Sequence, residues 1–144
     1  MQNRKATAND VSLIIDIWER SVMATHHFLS VEDRQEIRKE IPLYLPHVDV
    51  RLWYANGACI GFSGINNNHL EMLFLDPGKI GQGYGRQILH SLIRDFHIQT
   101  IDVNKQNGNA VRFYLKSGFK VIREDATDSA GRPYPILHLK YADH

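Results

Sequence analysis

The sequence predicts a mixed α/β (α+β) fold in which a mostly antiparallel central sheet is flanked by about four helices. Three observations carry that expectation. Strand-like runs stand on both sides of Asn56-Gly57, the strongest short hairpin signal, and a third strand-like run follows them. Segments of helical period lie before this run and directly after it. Strand and helix patterns then alternate to the end of the chain, and 144 residues suit a single domain spanning 1–144.

The elements follow in order. After a first short strand, "TANDVSLIIDIWERSV" opens with capping-type residues and sets Val11, Ile14, Ile15, Trp18 and Val22 on one helical face. A charged helix is expected across 31–40, ending near Pro42, because proline disfavours helix in the residue before it. "VDVRLWYANGACIGFSGI" forms the hairpin, and "HLEMLFL" is a strand that ends at the turn Asp76-Pro77-Gly78. The next helix carries Ile88, Leu89, Leu92, Ile93 and Phe96 as its apolar stripe. "IQTIDV" is a strand, "NAVRFYLKSG" a helix closed by Gly118, and "FKVIRED" and "YPILHLKY" are strands on either side of the turn-forming "DSAGRP".

Composition excludes several classes. Seventeen Lys+Arg against sixteen Asp+Glu give +1 with no basic stripe, so no nucleic-acid partner is expected. No apolar run is long enough for a membrane span or shaped like a signal peptide, and the lone Cys59 fits a reducing compartment, so a cytoplasmic protein without a membrane partner is expected. Cys59 itself reads as a small core residue. Exposed sheet edges make a homodimer possible.

Within "KIGQGYGRQILHSLI", residues 79–93, Gly81, Gly83 and Gly85 crowd the mouth of a helix, where glycine is costly unless a backbone or ligand must come close. A flexible loop is one reading. A dinucleotide fingerprint is another, but the third glycine arrives one residue too soon. The third is a pyrophosphate cradle, in which unpaired amides and the positive end of the helix dipole grip an anion, with Arg86 adding charge.

At this point the chain resembles the GCN5-related N-acetyltransferase (GNAT) superfamily, in its branch of small bacterial acetyltransferases. "FLDPGKIGQGYGRQIL" follows the family's Arg/Gln-x-x-Gly-x-Gly/Ala signature except at Ile80, which stands where Arg or Gln is usual. "NGNAVRFYLKSGF" follows its Asn-x-x-Ala-x-x-x-Tyr-x-x-x-Gly-Phe stretch. The resemblance implies acetyl-CoA as co-substrate and direct attack by a primary amine of a small molecule or peptide. It implies a pyrophosphate seated on the amides of Gly81, Gln82, Gly83, Tyr84, Gly85 and Arg86, and a pantetheine arm along Leu73, Phe74 and Leu75 with Asn104, Asn107 and Asn109 beside it. An N–H near Leu73 would polarise the acetyl carbonyl, and Tyr114 would protonate the leaving thiolate.

The base stays open among Glu71 and His69, two apart and so expected to share a strand face with Leu73, and His26 in the loop over the acceptor site. Adjacent His26 and His27 lack further ligands at metal spacing, so no metal is expected. His138 could face either side of its strand, and Tyr134 is expected to close the acceptor pocket. Two rival readings remain at this stage: a CoA-binding sensor without turnover, and a nucleotide-binding oxidoreductase.

Overall fold

The computed structural model describes residues 1–142. The strands are β1 (Gln2–Lys5), β2 (Asp49–Ala55), β3 (Ala58–Asn66), β4 (His69–Leu75), β5 (Thr100–Asn104), β6 (Phe119–Asp125) and β7 (Ile136–Tyr141). The helices are α1 (Val11–Thr25), α2 (Val31–Tyr44), α3 (Tyr84–Phe96) and α4 (Gly108–Lys116). The seven strands make one sheet in the order β1-β2-β3-β4-β5-β7-β6, antiparallel at every junction except β4–β5.

Each face of the sheet has its own core. Ile14, Ile17, Trp18 and Val22 of α1, with Ile41 of α2, cover Val50, Leu52 and Phe62. On the other face Ile88, Leu89 and Leu92 of α3 and Tyr114 of α4 cover Ile60, Ile101, Val103 and Leu139. Val11 and Ile15 are only partly buried, and Ile17 takes the central place on α1. Buried Trp53 finds its polar partner in Ser63, Nε1 donating to Oγ at 2.9 Å. At the hairpin tip Asn56 and Gly57 have φ of 53° and 79°, the left-handed pair that a tight turn of this hand requires.

Helix α2 runs past the expected stop. Pro42 lies inside it, and the helix continues to Tyr44 before a short 3₁₀ turn, Leu45–His47. Proline removes one backbone donor and crowds one carbonyl, a local cost. Ile41 and Leu45 on either side of it are both buried in the α1 core, and their burial holds the last turn helical. The extension delivers Tyr44 to the neighbourhood of Glu71.

Two irregularities position the site. Gly64 pairs with Met72 and Ile65 with Leu70, so Glu71 is the extra residue of a β-bulge. The bulge breaks the alternation: Leu70 and Leu73, three apart, both pack into the α3/α4 core, so Leu73 does not share a face with His69 and Glu71 as alternation predicts. The second irregularity is the parallel junction, which pairs only His69 with Thr100 and Leu70 with Ile101. Beyond those two rungs the strands part.

Candidate active site

The gap between β4 and β5 opens into a cavity of about 500 Å³. One wall is the backbone and side chains of residues 71–75, which pair with β3 on their far side and, among the described residues, with no strand on the cavity side. Unpaired strand groups of this kind need a partner, and an extended ligand with amides can supply one. Opposite stand Asp102, Val103 and Asn104 of β5, with Asn107, Asn109, Phe113 and Tyr114 from the start and inner face of α4.

The glycine cluster forms one end. Gly81 and Gly83 both have φ of 83°, and the space where a side chain would begin is open at each. Gly83 is the N-cap of the thirteen-residue α3, so the first amides of that helix face the cavity with the positive end of its dipole behind them. Gly85 differs: its φ is ordinary, and an added Cβ would meet Leu75 at 3.5 Å and Phe113 at 3.6 Å. Arg86 lines the cavity, and among the described residues no carboxylate forms an ion pair with it. These groups fit the diphosphate end of an extended ligand. Ile80, half-exposed, lines the same end beside them.

Two of the positions expected to offer their amides turn their side chains elsewhere. Gln82 turns away and donates to the Gly78 carbonyl at 2.9 Å, and Tyr84 packs against the core; neither lines the cavity. In a cradle made of amides, these two positions contribute backbone only. Asn107 lines the cavity while its Oδ1 accepts from Ala110 N and caps α4, and Asn104 likewise accepts from Gln106 N at 2.9 Å. Asn109, also on the cavity, holds Arg112.

Tyr114 is buried yet borders the cavity, its ring edge-on to Phe119 at 6.1 Å. Burial pushes its phenol well above the ordinary tyrosine range, so the proton stays on the oxygen. At the other end of the cavity His26, at the C-terminus of α1, stacks near Phe28 and Phe74. Burial, helped by neighbouring His27, brings its pKa down to about 4, so the imidazole is uncharged near neutrality. Glu71 also lines the cavity, with the Tyr44 phenol close by; burial first, then interaction with the Glu71 carboxylate, push that phenol up.

His69 is placed differently from expectation. It does not line the main cavity but a smaller adjoining depression shared with His138, Arg123 and Asp102. Asp102 borders both and ties them together: His69 Nε2 lies 3.2 Å from its Oδ2 and His138 Nδ1 2.6 Å from its Oδ1. The Asp102 contact is also the main reason the His69 pKa is raised. Sequence reasoning missed Asp102, although its place at the end of "IQTIDV", two residues before Asn104, was a usable signal. His69, Glu71 and Asp102 bring ligand-type atoms within 4.8 Å of one another, a spacing that no local sequence pattern reveals.

Tyr134 is buried but does not line the cavity. Its hydroxyl donates to Asp33 and accepts from Ser30 N at 3.3 Å, clasping the 126–135 loop to the start of α2. Cys59 packs against the α1 core, and burial pushes its thiol up.

Residues 9–134 match the family described as an acetyltransferase (GNAT) domain. The chain belongs to the GNAT acetyltransferase family. Its reaction is acetyl transfer from acetyl-CoA to an amine. Among relatives of this GNAT enzyme, peptidyl-lysine N-acetyltransferase YjaB of Salmonella typhimurium is 38% identical over 141 residues, 96% of each chain. The solution structure of apo-form YjaB from Escherichia coli superposes with a TM-score of 0.89 at 35% identity, over 99% of this GNAT chain and 98% of that one. PaiA N-acetyltransferase of Thermoplasma acidophilum, solved in complex with coenzyme A, shares the GNAT fold at a TM-score of 0.65 and 23% identity, over 97% and 98% of the two chains.

Proposed function

We propose that the chain works as a single N-acetyltransferase domain over residues 1–144 and acetylates the side-chain amine of a lysine presented by a peptide. The observation that carries this reading is the cavity between the parted strands. It has an amide cradle at one end, an unpaired strand edge along its length, and the Glu71 and Asp102 carboxylates toward the other. The first two suit a diphosphate joined to an amide-bearing arm, and the carboxylates favour a cationic acceptor. The 38% identity to a peptidyl-lysine N-acetyltransferase supports the same acceptor class.

Acetyl-CoA supplies a thioester-activated acetyl group. In this proposal the amides of Gly81 through Arg86, with the Arg86 guanidinium, hold its diphosphate. The free backbone edge of Leu73, Phe74 and Leu75 pairs with its arm, flanked by Asn104, Asn107 and Asn109. The Leu73 N–H polarises the acetyl carbonyl. Glu71 takes a proton from the bound ammonium and frees the nitrogen lone pair; as the C–N bond forms and the C–S bond breaks, Tyr114 gives its proton to sulfur and regains one from the now acidic nitrogen. His26, uncharged, walls the acceptor end without repelling an ammonium.

The test is thiol release from acetyl-CoA with short lysine-containing peptides, read together with the mass of the peptide. Acetylation at lysine is expected. Tight acetyl-CoA binding with no thiol release across peptides and small amines would instead assign the chain to CoA sensing.

A further inference from the structure

His69 pairs with Thr100 in one of the two rungs that join β4 to β5, and Glu71 and Asp102 each stand two residues further along their strands. This register brings one ligand-type atom from each of His69, Glu71 and Asp102 within 4.8 Å of one another. Hydrogen bonds from outside the set orient two of the three. His69 Nδ1 lies 2.6 Å from Thr100 Oγ1, and with that nitrogen donating, Nε2 turns its lone pair toward Asp102 Oδ2 at 3.2 Å. His138 Nδ1 holds the other Asp102 oxygen at 2.6 Å, which leaves Oδ2 facing the imidazole. A lone pair set against a carboxylate oxygen is repulsive unless a cation stands between them. A nitrogen and an oxygen bound to one tetrahedral ion, each at about 2.0–2.1 Å, are about 3.3 Å apart, close to the spacing of Nε2 and Oδ2.

We propose that His69 Nε2, Glu71 and Asp102 Oδ2 form a binding site for a zinc-like divalent transition-metal ion, and that filling it switches acetyl transfer off. The switch rests on Glu71 as the base; the site itself does not. Two carboxylates balance a divalent charge, and the imidazole beside them favours a zinc-like ion over magnesium or calcium, which take oxygen ligands. Three protein ligands leave a fourth position for water. The His69 and Asp102 side chains are 25% and 35% exposed, and the depression they line gives an ion an entry that does not pass through the donor's cavity. A proton and a metal ion compete for Nε2, so binding releases any proton held there to water. A Glu71 carboxylate bound to the ion is a far weaker base, and the ion's charge repels the acceptor's ammonium. His26 and His27 take no part.

The test titrates metal-stripped protein with zinc by calorimetry and follows acetylation by the mass of a lysine peptide, since zinc also captures the released thiol. Wild type should bind one ion per chain. Affinity should fall about tenfold or more in His69→Ala and in Asp102→Asn, while His90→Ala, exposed on α3, binds as wild type does. Asp102→Asn keeps the shape of the side chain and decides the matter if His69→Ala does not fold. Saturating zinc should cut wild-type acetylation about tenfold or more, and His69→Ala should acetylate at one rate with and without the ion. No saturable binding to wild type, unchanged affinity in both ligand variants, or equal displacement by magnesium overturns the site. Zinc held by these residues with no loss of acetylation overturns the switch and Glu71 as base together. A metal-free wild type that acetylates no lysine peptide counts against the proposed acceptor, and the binding titration still decides the site.

Discussion

Arg20 on α1 reaches Asp76, at the turn before the glycine cluster, with Nη1 2.7 Å from Oδ2. The same carboxylate accepts the Gly78 N–H through its other oxygen at 3.0 Å, so one ion pair fixes the entry to the amide cradle against the helix on the opposite face of the sheet. The arginine is 43% exposed, so the pair adds little to stability, about 0.5 kcal/mol. Its role is placement. Arg20→Ala should raise KM for acetyl-CoA about threefold with little change in Tm, read by steady-state kinetics and a thermal melt.

Tyr114→Phe keeps the ring against Phe119 and removes only the hydroxyl. If that hydroxyl protonates sulfur, kcat should fall about a hundredfold with KM nearly unchanged and Tm within a few degrees. Tyr114→Ala, which empties a core position, should cost about 3–5 kcal/mol in urea unfolding.

Gly81 and Gly83 need left-handed backbone, and Gly85 does not. Alanine at either of the first two should cost about 1–2 kcal/mol of strain and weaken acetyl-CoA binding about tenfold or more by calorimetry. Gly85→Ala adds a methyl at ordinary contact with Leu75 and Phe113 and should stay within about threefold of wild type. Equal losses at all three positions would show that the conformational distinction is irrelevant to binding.

His26 sets a pH window for stability. Its folded pKa of about 4 lies below the ordinary 6.5, so between those values the unfolded chain binds a proton that the folded one refuses. Its stabilising share is complete above pH 6.5 and is lost as pH falls toward 4. Asp10 behaves in the same direction but lower. Arg4 and the Thr7 N–H hold its carboxyl far below the usual range, so its share fades only below about pH 4. Urea unfolding of His26→Asn across pH 4 to 6.5 should give a flatter profile than wild type, with the steep loss below pH 4 retained.

Much of this was legible because it is local. The Asn56-Gly57 turn, the stripe on α3, the glycines before it and the tyrosine of α4 are all written in spacings of a few residues. The bulge at Glu71 was not. It depends on how Gly64 and Ile65 pair across the sheet, and it moved Leu73 off the face that alternation assigns it. Pro42 misled for a related reason, since buried neighbours outweighed a local rule. Asp102 and His138 stand 36 residues apart and meet only through strand register. Gln82 and Tyr84 were named for their amides alone, and where their side chains go, Gln82 to the Gly78 carbonyl and Tyr84 to the core, is set by the fold and not by the glycine spacing.

The parting of β4 from β5 after two rungs leaves the sheet one short strand incomplete. In the proposed binding mode the donor's arm lies along that edge and finishes the sheet, so binding adds to the stability of the folded state. Free ligand at about 100 times its Kd adds about 2.7 kcal/mol to the folded state, a large share of what holds a domain of this size together. On that proposal a fall in the supply of the acetyl donor withdraws stability from the enzyme as well as substrate, which a thermal melt with and without acetyl-CoA reads directly.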